Sequence, residues 1–158
     1  MVRMLEKLAQ LVDEVGALHS KLILLIGQPG SGKTALLAAL ANQRDMKVMN
    51  VGATAGSRLA AIPQRQRALQ TNVILREHAD ECANGDLLLL DNIELLFDQT
   101  LKLDPLDLLK RHAHSRRVVA IWPGELVDGR LTYAQMGHQE YQDYGLDGLV
   151  PFEIKKKG

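Results

Sequence analysis

Gly27-Gln28-Pro29-Gly30-Ser31-Gly32-Lys33-Thr34 is the stretch of this chain whose residue types and spacing imply the most specific chemistry. It fits the pattern G-x-x-x-x-G-K-[S/T], follows the apolar run Leu22 to Ile26 and precedes the helix-forming run Ala35 to Ala41. A polyphosphate has to be wrapped by consecutive backbone N–H groups, and glycines let the chain curl that tightly without a Cβ in the way. The helix that follows aims its dipole at the same anion. Lys33 can then reach the outer phosphates as a point charge, and the Thr34 hydroxyl can ligate Mg²⁺. The plain alternative is a glycine-rich strand-to-helix turn carrying a surface lysine.

A second constellation follows the apolar run Leu87 to Leu90. Asp91 ends that run, so a buried strand delivers one carboxylate to the C-terminal edge of a parallel sheet, where open α/β folds bind ligands. There Asp91 would hold Mg²⁺ directly or through water; the competing reading is a helix N-cap. Hydrolysis also needs a group that orients or deprotonates water. Asn92 can hydrogen-bond a water but cannot act as a base, whereas Glu94 lies three residues past Asp91 and one helical turn would bring it to the same side. Glu94 is therefore the candidate base, against a reading as an exposed helix-start glutamate. Phosphoryl transfer usually draws on a further arginine. Arg116 and Arg117, just before the fourth strand, start at the opposite edge and suit donation to a neighbouring subunit, while Arg130 is the candidate within its own subunit. Arg116 and Arg117 could equally solvate a helix-to-strand turn. His78 and Cys82 lie four apart on a predicted helix, but two ligands without two more do not make a zinc site.

The elements that must position these residues alternate in type. An amphipathic helix occupies residues 1–20, with Met1, Leu5, Leu8, Val12 and Val15 on one stripe, and an α/β core fills residues 21–158. Strands are expected at Leu22 to Ile26, Lys47 to Val51, Leu87 to Leu90, Val118 to Trp122 and Leu149 to Ile154. Gly52, Gly56 and Pro63 mark a loop before a helix from about Gln64 to Ala83. A short helix is expected around Gln139 to Tyr144. Asp104, Pro105 and Asp107 spell a helix start, with a helix to about His114. Strands alternating with helices predict a mostly parallel five-stranded sheet with helices on both faces.

At 158 residues the chain has the length of one domain, and 46% hydrophobic residues supply a core. Lys and Arg number 19 and Asp and Glu also 19, so no global field holds DNA or an anionic membrane, and DNA contact would have to be local or created by assembly. A single cysteine, Cys82, points to a reducing compartment. No apolar run approaches the roughly 20 residues of a membrane span. A cytoplasmic protein is the expectation.

The run GQPGSGKT together with LLLLDNIELLF resembles the AAA+-like branch of additional-strand P-loop ATPases, here without a C-terminal helical lid. The chain is more closely similar to the BrxF family, small P-loop proteins of type 3 BREX phage-defence systems. That likeness is carried by Leu87 to Pro105, Val119 to Gly124, Asp128 to Ala134 and Gly137 to Tyr141. The resemblance implies an ATP- and Mg²⁺-binding component that forms homo-oligomers and acts with other BREX proteins on phage DNA. It also exposes departures: Asn92 stands where a glutamate usually follows the aspartate, and Trp122-Pro123 where a polar residue would end the fourth strand. An ATPase of low activity when isolated is the leading expectation. The alternatives are an ATP-loaded assembly module that seldom hydrolyses, and a small P-loop kinase, for which Gly124 to His138 offers only Arg130.

Overall fold

Five strands, all paired in parallel, form the central sheet of the computed structural model, which describes residues 2–18, 21–28, 30–133 and 142–154. They are β1 (Leu22–Ile26), β2 (Met49–Asn50), β3 (Leu87–Asp91), β4 (Arg117–Ile121) and, last in the chain, β8 (Val150–Glu153), in the order β2-β3-β4-β1-β8. Every residue of β1 is buried. Such a run has no polar face because both faces are covered. Leu22, Leu24 and Ile26 face one layer with Leu88, Leu90, Val118 and Ala120; Ile23 and Leu25 face the other with Leu87, Leu89, Val119 and Ile121.

Helices α1 (Val2–Val15) and α2 (Lys33–Gln43) cover one face through Leu8, Val12, Val15, Leu36, Leu37 and Leu40. Helices α3 (Val51–Ala60), α4 (Gln64–Cys82) and α5 (Pro105–Ser115) cover the other. The start of α5 follows its sequence signature, with Asp104 Oδ1 accepting from the Asp107 backbone N–H at 3.1 Å and proline in the first turn. The amphipathic α1 is tied down by polar contacts as well as by packing. Arg117 donates to the Val12 carbonyl at 3.1 Å and to both Asp86 carboxylate oxygens at 3.0 and 2.7 Å, while Arg44 reaches the Ala9 carbonyl and Asp13. The Arg117 guanidinium holds the Asp86 carboxyl below the usual aspartate range. Among the described residues no helix is long and apolar enough to cross a membrane.

Three stretches differ from the sequence reading. The expected strand over Lys47 to Val51 shrinks to Met49–Asn50, and the expected loop with Gly52 and Gly56 is helix α3. Asn50 decides this, since its Oδ1 accepts from the Ala53 N–H at 2.9 Å and caps a helix too rich in small residues to show an apolar stripe. The helix expected around Gln139 to Tyr144 is not seen: Gln142–Tyr144 is strand β7, and residues 139–141 lie outside the described residues. With β5 (Glu125–Val127) and β6 (Arg130–Tyr133), β7 makes a small antiparallel sheet beyond the end of β4. Its turn is Asp128-Gly129, both at positive φ, a hairpin signal present in the sequence.

That small sheet is anchored to the main core. Trp122, fully buried, donates its indole N–H to the Thr132 carbonyl at 2.9 Å, and Phe97 stacks on Tyr133 with ring centres 3.9 Å apart. Tyr144 meets the Trp122 ring edge-on, and burial pushes its hydroxyl pKa up to about 12. The crossing at Gly124 is so close that a Cβ there would sit 1.6 Å from the Thr132 carbonyl oxygen. Gly124→Ala is therefore expected to destabilise the protein by about 1–3 kcal/mol through forced displacement of β6. Urea denaturation followed by circular dichroism checks this; an unchanged midpoint would show that the hairpin is not clamped there.

Candidate nucleotide-binding site

The loop from Gly27 to Thr34 leaves β1 at the C-terminal edge of the sheet and enters α2. β8 closes its base, because the Ile154 N–H donates to the Ile26 carbonyl at 2.7 Å. The approach there is so tight that a Cβ on Gly27 would lie 2.6 Å from Ser31 Oγ and 2.8 Å from the Ile154 carbonyl oxygen. Gly30 and Gly32 have φ of 80° and 97°, with open space where a side chain would stand. Pro29 lies outside the described residues, and Gln28 accepts the Ser31 N–H at its carbonyl, 3.0 Å. Ser31 Oγ is buried with no hydrogen-bond partner among the described residues. Open space at Gly30 and Gly32, beside an unsatisfied hydroxyl at a helix N-terminus, fits a phosphate group.

Lys33 Nζ donates to the Gly27 carbonyl at 2.5 Å, folded back across this loop. Burial pushes its pKa below the ordinary lysine range, while the charges of Glu94, Asp91 and Glu125 act in the opposite direction. Thr34 Oγ1 lies 3.4 Å from Asp91 Oδ2, so the hydroxyl of α2 and the carboxylate of β3 converge although 57 residues separate them. The other Asp91 oxygen accepts the Asn92 N–H at 2.7 Å, which fixes the carboxylate plane. A hydroxyl and an oriented carboxylate beside a phosphate cradle form an oxygen donor set suited to Mg²⁺, and Thr34 and Asp91 would hold that ion.

Asn92 is differently employed. Its backbone is left-handed at φ 54°, a conformation asparagine tolerates better than glutamate, and a 3-10 turn (Ile93–Phe97) starts after it. Its Nδ2 donates to Asn50 Oδ1 at 2.9 Å and its carbonyl accepts the Gly52 N–H at 3.0 Å. The amide thus stitches the end of β3 to the start of α3. Glu94, in the first turn after it, is exposed and electrostatically coupled to Lys33.

Of the sequence candidates, the structure gathers Gly27, Gln28, Gly30, Ser31, Gly32, Lys33, Thr34, Asp91 and Glu94 at one edge, with Asn92 beside them. It does not bring Arg116 or Arg117 there. Arg117 pairs in register with Leu87, the first residue of β3, at the opposite edge. Both guanidiniums are bonded within the chain, Arg116 to Asp80 at 2.7 Å and to the Ala79 carbonyl, Arg117 to Asp86 and Val12. Arg130 lines a groove with Asp104, Asp107, Lys110, Tyr144 and Asp147. Glu125 is the edge residue that the sequence reading missed. Its signal was available, since the Asp128-Gly129 turn folds β5 back directly after the Pro123-Gly124 break.

A parallel sheet with a phosphate loop after its inner strand and an acidic residue ending a nearby strand defines a P-loop NTPase fold. The chain belongs to the AAA family, the ATPase family associated with various cellular activities, whose model matches residues 23–120, well over half of the sequence. The matched region holds the loop and Asp91 and ends before Glu125. No curated protein matches the chain. Among solved structures it resembles PCH-2 of C. elegans, with a TM-score of 0.50 and 14% identity over 97% of this chain. A DNA replication initiation factor is similar with a TM-score of 0.47 and 18% identity over 94% of this chain. The chain spans 41% and 44% of the lengths of those two proteins.

Lys33→Ala removes the cation that is hydrogen-bonded into the loop and is expected to weaken ATP binding about 10- to 100-fold, the roughly 1.5–3 kcal/mol of a hydrogen bond to a charged group. Titration calorimetry measures it. Unaltered affinity would take the loop out of the site.

Proposed function

We propose that this chain is a Mg-ATP-binding ATPase or nucleotide switch that oligomerises and serves a bacterial anti-phage defence complex of the BREX type. The observation that carries the nucleotide part is the convergence of Thr34 Oγ1 and Asp91 Oδ2, 3.4 Å apart, beside a loop across which Lys33 is folded. In this reading the backbone N–H groups of Gly30 to Thr34 wrap the phosphates and Lys33 swings from the Gly27 carbonyl onto the outer ones. Mg²⁺ held by Thr34 and Asp91 would neutralise charge on the transferred phosphoryl. Glu94 is the group that takes the proton from the attacking water, because the Asn92 amide is occupied by Asn50 and has no basicity.

The defence assignment rests on the resemblance of Leu87 to Pro105 and the segments after it to the BrxF family. In this reading the protein works in the cytoplasm with other BREX proteins. With a formal net charge of zero, DNA would be engaged by the assembly and not by a long-range field of the single chain. In an oligomer Arg116 and Arg117, at the edge opposite their own nucleotide, would have to exchange Asp80 and Asp86 for a neighbour's phosphate.

A second reading, an assembly module that loads ATP and seldom turns it over, is favoured by the structural employment of Asn92. One experiment separates the two. Glu94→Gln keeps shape and removes basicity, so an ATPase with Glu94 as its base loses about 10²- to 10⁴-fold in turnover while still binding ATP. Phosphate release from ATP, together with solution mass measured without nucleotide, with ADP and with a non-hydrolysable ATP analogue, gives the comparison. A loss of twofold or less, with a nucleotide-dependent mass, assigns the module.

A further inference from the structure

Beyond β4 the chain sets a third carboxylate at the nucleotide edge. β4 ends at Ile121, in register with Leu25, and the next N–H, that of Trp122, still donates to the Leu25 carbonyl at 2.9 Å. Leu25 is two residues before Gly27, so Glu125, three residues past Trp122, follows at the sheet edge from which the loop also leaves. The path between has little freedom: Trp122 is held by Thr132, and Gly124 lies against the same carbonyl. Glu125 itself pairs with Thr132, whose hydroxyl donates to the Glu125 carbonyl at 3.3 Å. Its carboxylate is exposed, makes no ion pair among the described residues, and acts on the Lys33 charge together with Glu94 and Asp91.

The charges of three carboxylates therefore act on one ammonium. Two of the three have a use in the proposed reading: Asp91 is oriented toward Thr34 for a cation, and Glu94 is one turn further on. Glu125 comes from a different element, outside the region shared with the family, and is fixed by a hairpin that the core clamps in place. A negative charge fixed beside a phosphate cradle repels a bare polyphosphate and is offset when the polyphosphate carries a divalent cation.

We propose that Glu125 is a specificity-determining residue that makes this pocket discriminate against metal-free nucleoside polyphosphate and accept it as its divalent-cation complex. The inference rests on the nucleotide-binding reading of the loop and goes beyond it, since the loop alone takes either form. Glu125 acts through charge and not through contact with the reacting atoms, so its removal reads out in binding.

The test is titration calorimetry of the full chain with ATP, in excess Mg²⁺ and in EDTA at matched ionic strength. It compares the wild type with Glu125→Gln and with Glu6→Gln, which removes one charge from the exposed face of α1. Thermal melts confirm that the variants are folded. Glu125→Gln is expected to tighten metal-free ATP about 5- to 10-fold while Mg-ATP affinity stays within about twofold, and the gain should shrink as salt rises. Glu6→Gln should leave the ratio of the two affinities unchanged. An unaltered ratio in Glu125→Gln, including no measurable binding of metal-free ATP by either protein, overturns the inference while leaving the loop's assignment intact. The same holds if Glu6→Gln shifts the ratio equally. A wild type that binds no nucleotide even with Mg²⁺ overturns the nucleotide reading, and this inference with it.

Discussion

β1 can bury Leu22 to Ile26 on both faces only because β4 and β8 satisfy its backbone from either side, and the rest of the molecule is arranged around that requirement. Parallel partners need crossovers, so α2 covers one face, where α1 joins it from ahead of β1, and α3, α4 and α5 cover the other. Parallel direction also sends the chain out of β1 and β3 at the same edge. Gly27 and Asp91 therefore arrive together without any direct bond between the strands that carry them. The residue after β8 tightens the constraint further, because the Ile154 carbonyl occupies the space that any side chain at position 27 would need.

Charge is divided between the two ends of this sheet. Arg116, Arg117 and Lys21 mark the end where the strands begin, and Asp91, Glu94, Glu125 and Glu153 the end where they finish. At the first end the arginines hold the architecture together. Arg117 joins α1, the Asp86 turn and β4, and Arg116 joins α4 to the start of β4. Such pairs are partly exposed and each contributes modestly, but they link elements whose apolar contacts run along different faces. At the second end the carboxylates outnumber Lys33, and the ligand would supply what balance there is.

Much of this was legible in the sequence where a residue type has one physical use. The phosphate loop, the apolar strands, the Asp104-Pro105 helix start and the placement of Asp91 all follow from spacing and burial. What escaped depends on long-range partners. Asn50 receives the Asn92 amide from 42 positions away, and its capping of α3 is easily overlooked because Gly52-Ala53-Thr54-Ala55-Gly56 shows no apolar stripe. Asn92 looked like a degraded catalytic position. Its positive φ and its bond to Asn50 give it a structural reason to be asparagine. The β5–β6 hairpin was missed for the opposite cause: the Asp128-Gly129 signal was local and clear, but a three-residue strand is too short to show alternation.

Trp122 is the only tryptophan in the chain, and its surroundings make it more than a core filler. The indole sits without solvent exposure, bonded to a carbonyl of β6 and flanked edge-on by Phe97 and Tyr144. Its emission therefore arises from one environment, three residues from Glu125 and one beyond the end of β4. Any movement of the hairpin away from the sheet would wet that ring and shift its fluorescence to the red. The molecule thus carries its own optical gauge of whether the edge that faces the nucleotide is docked or open.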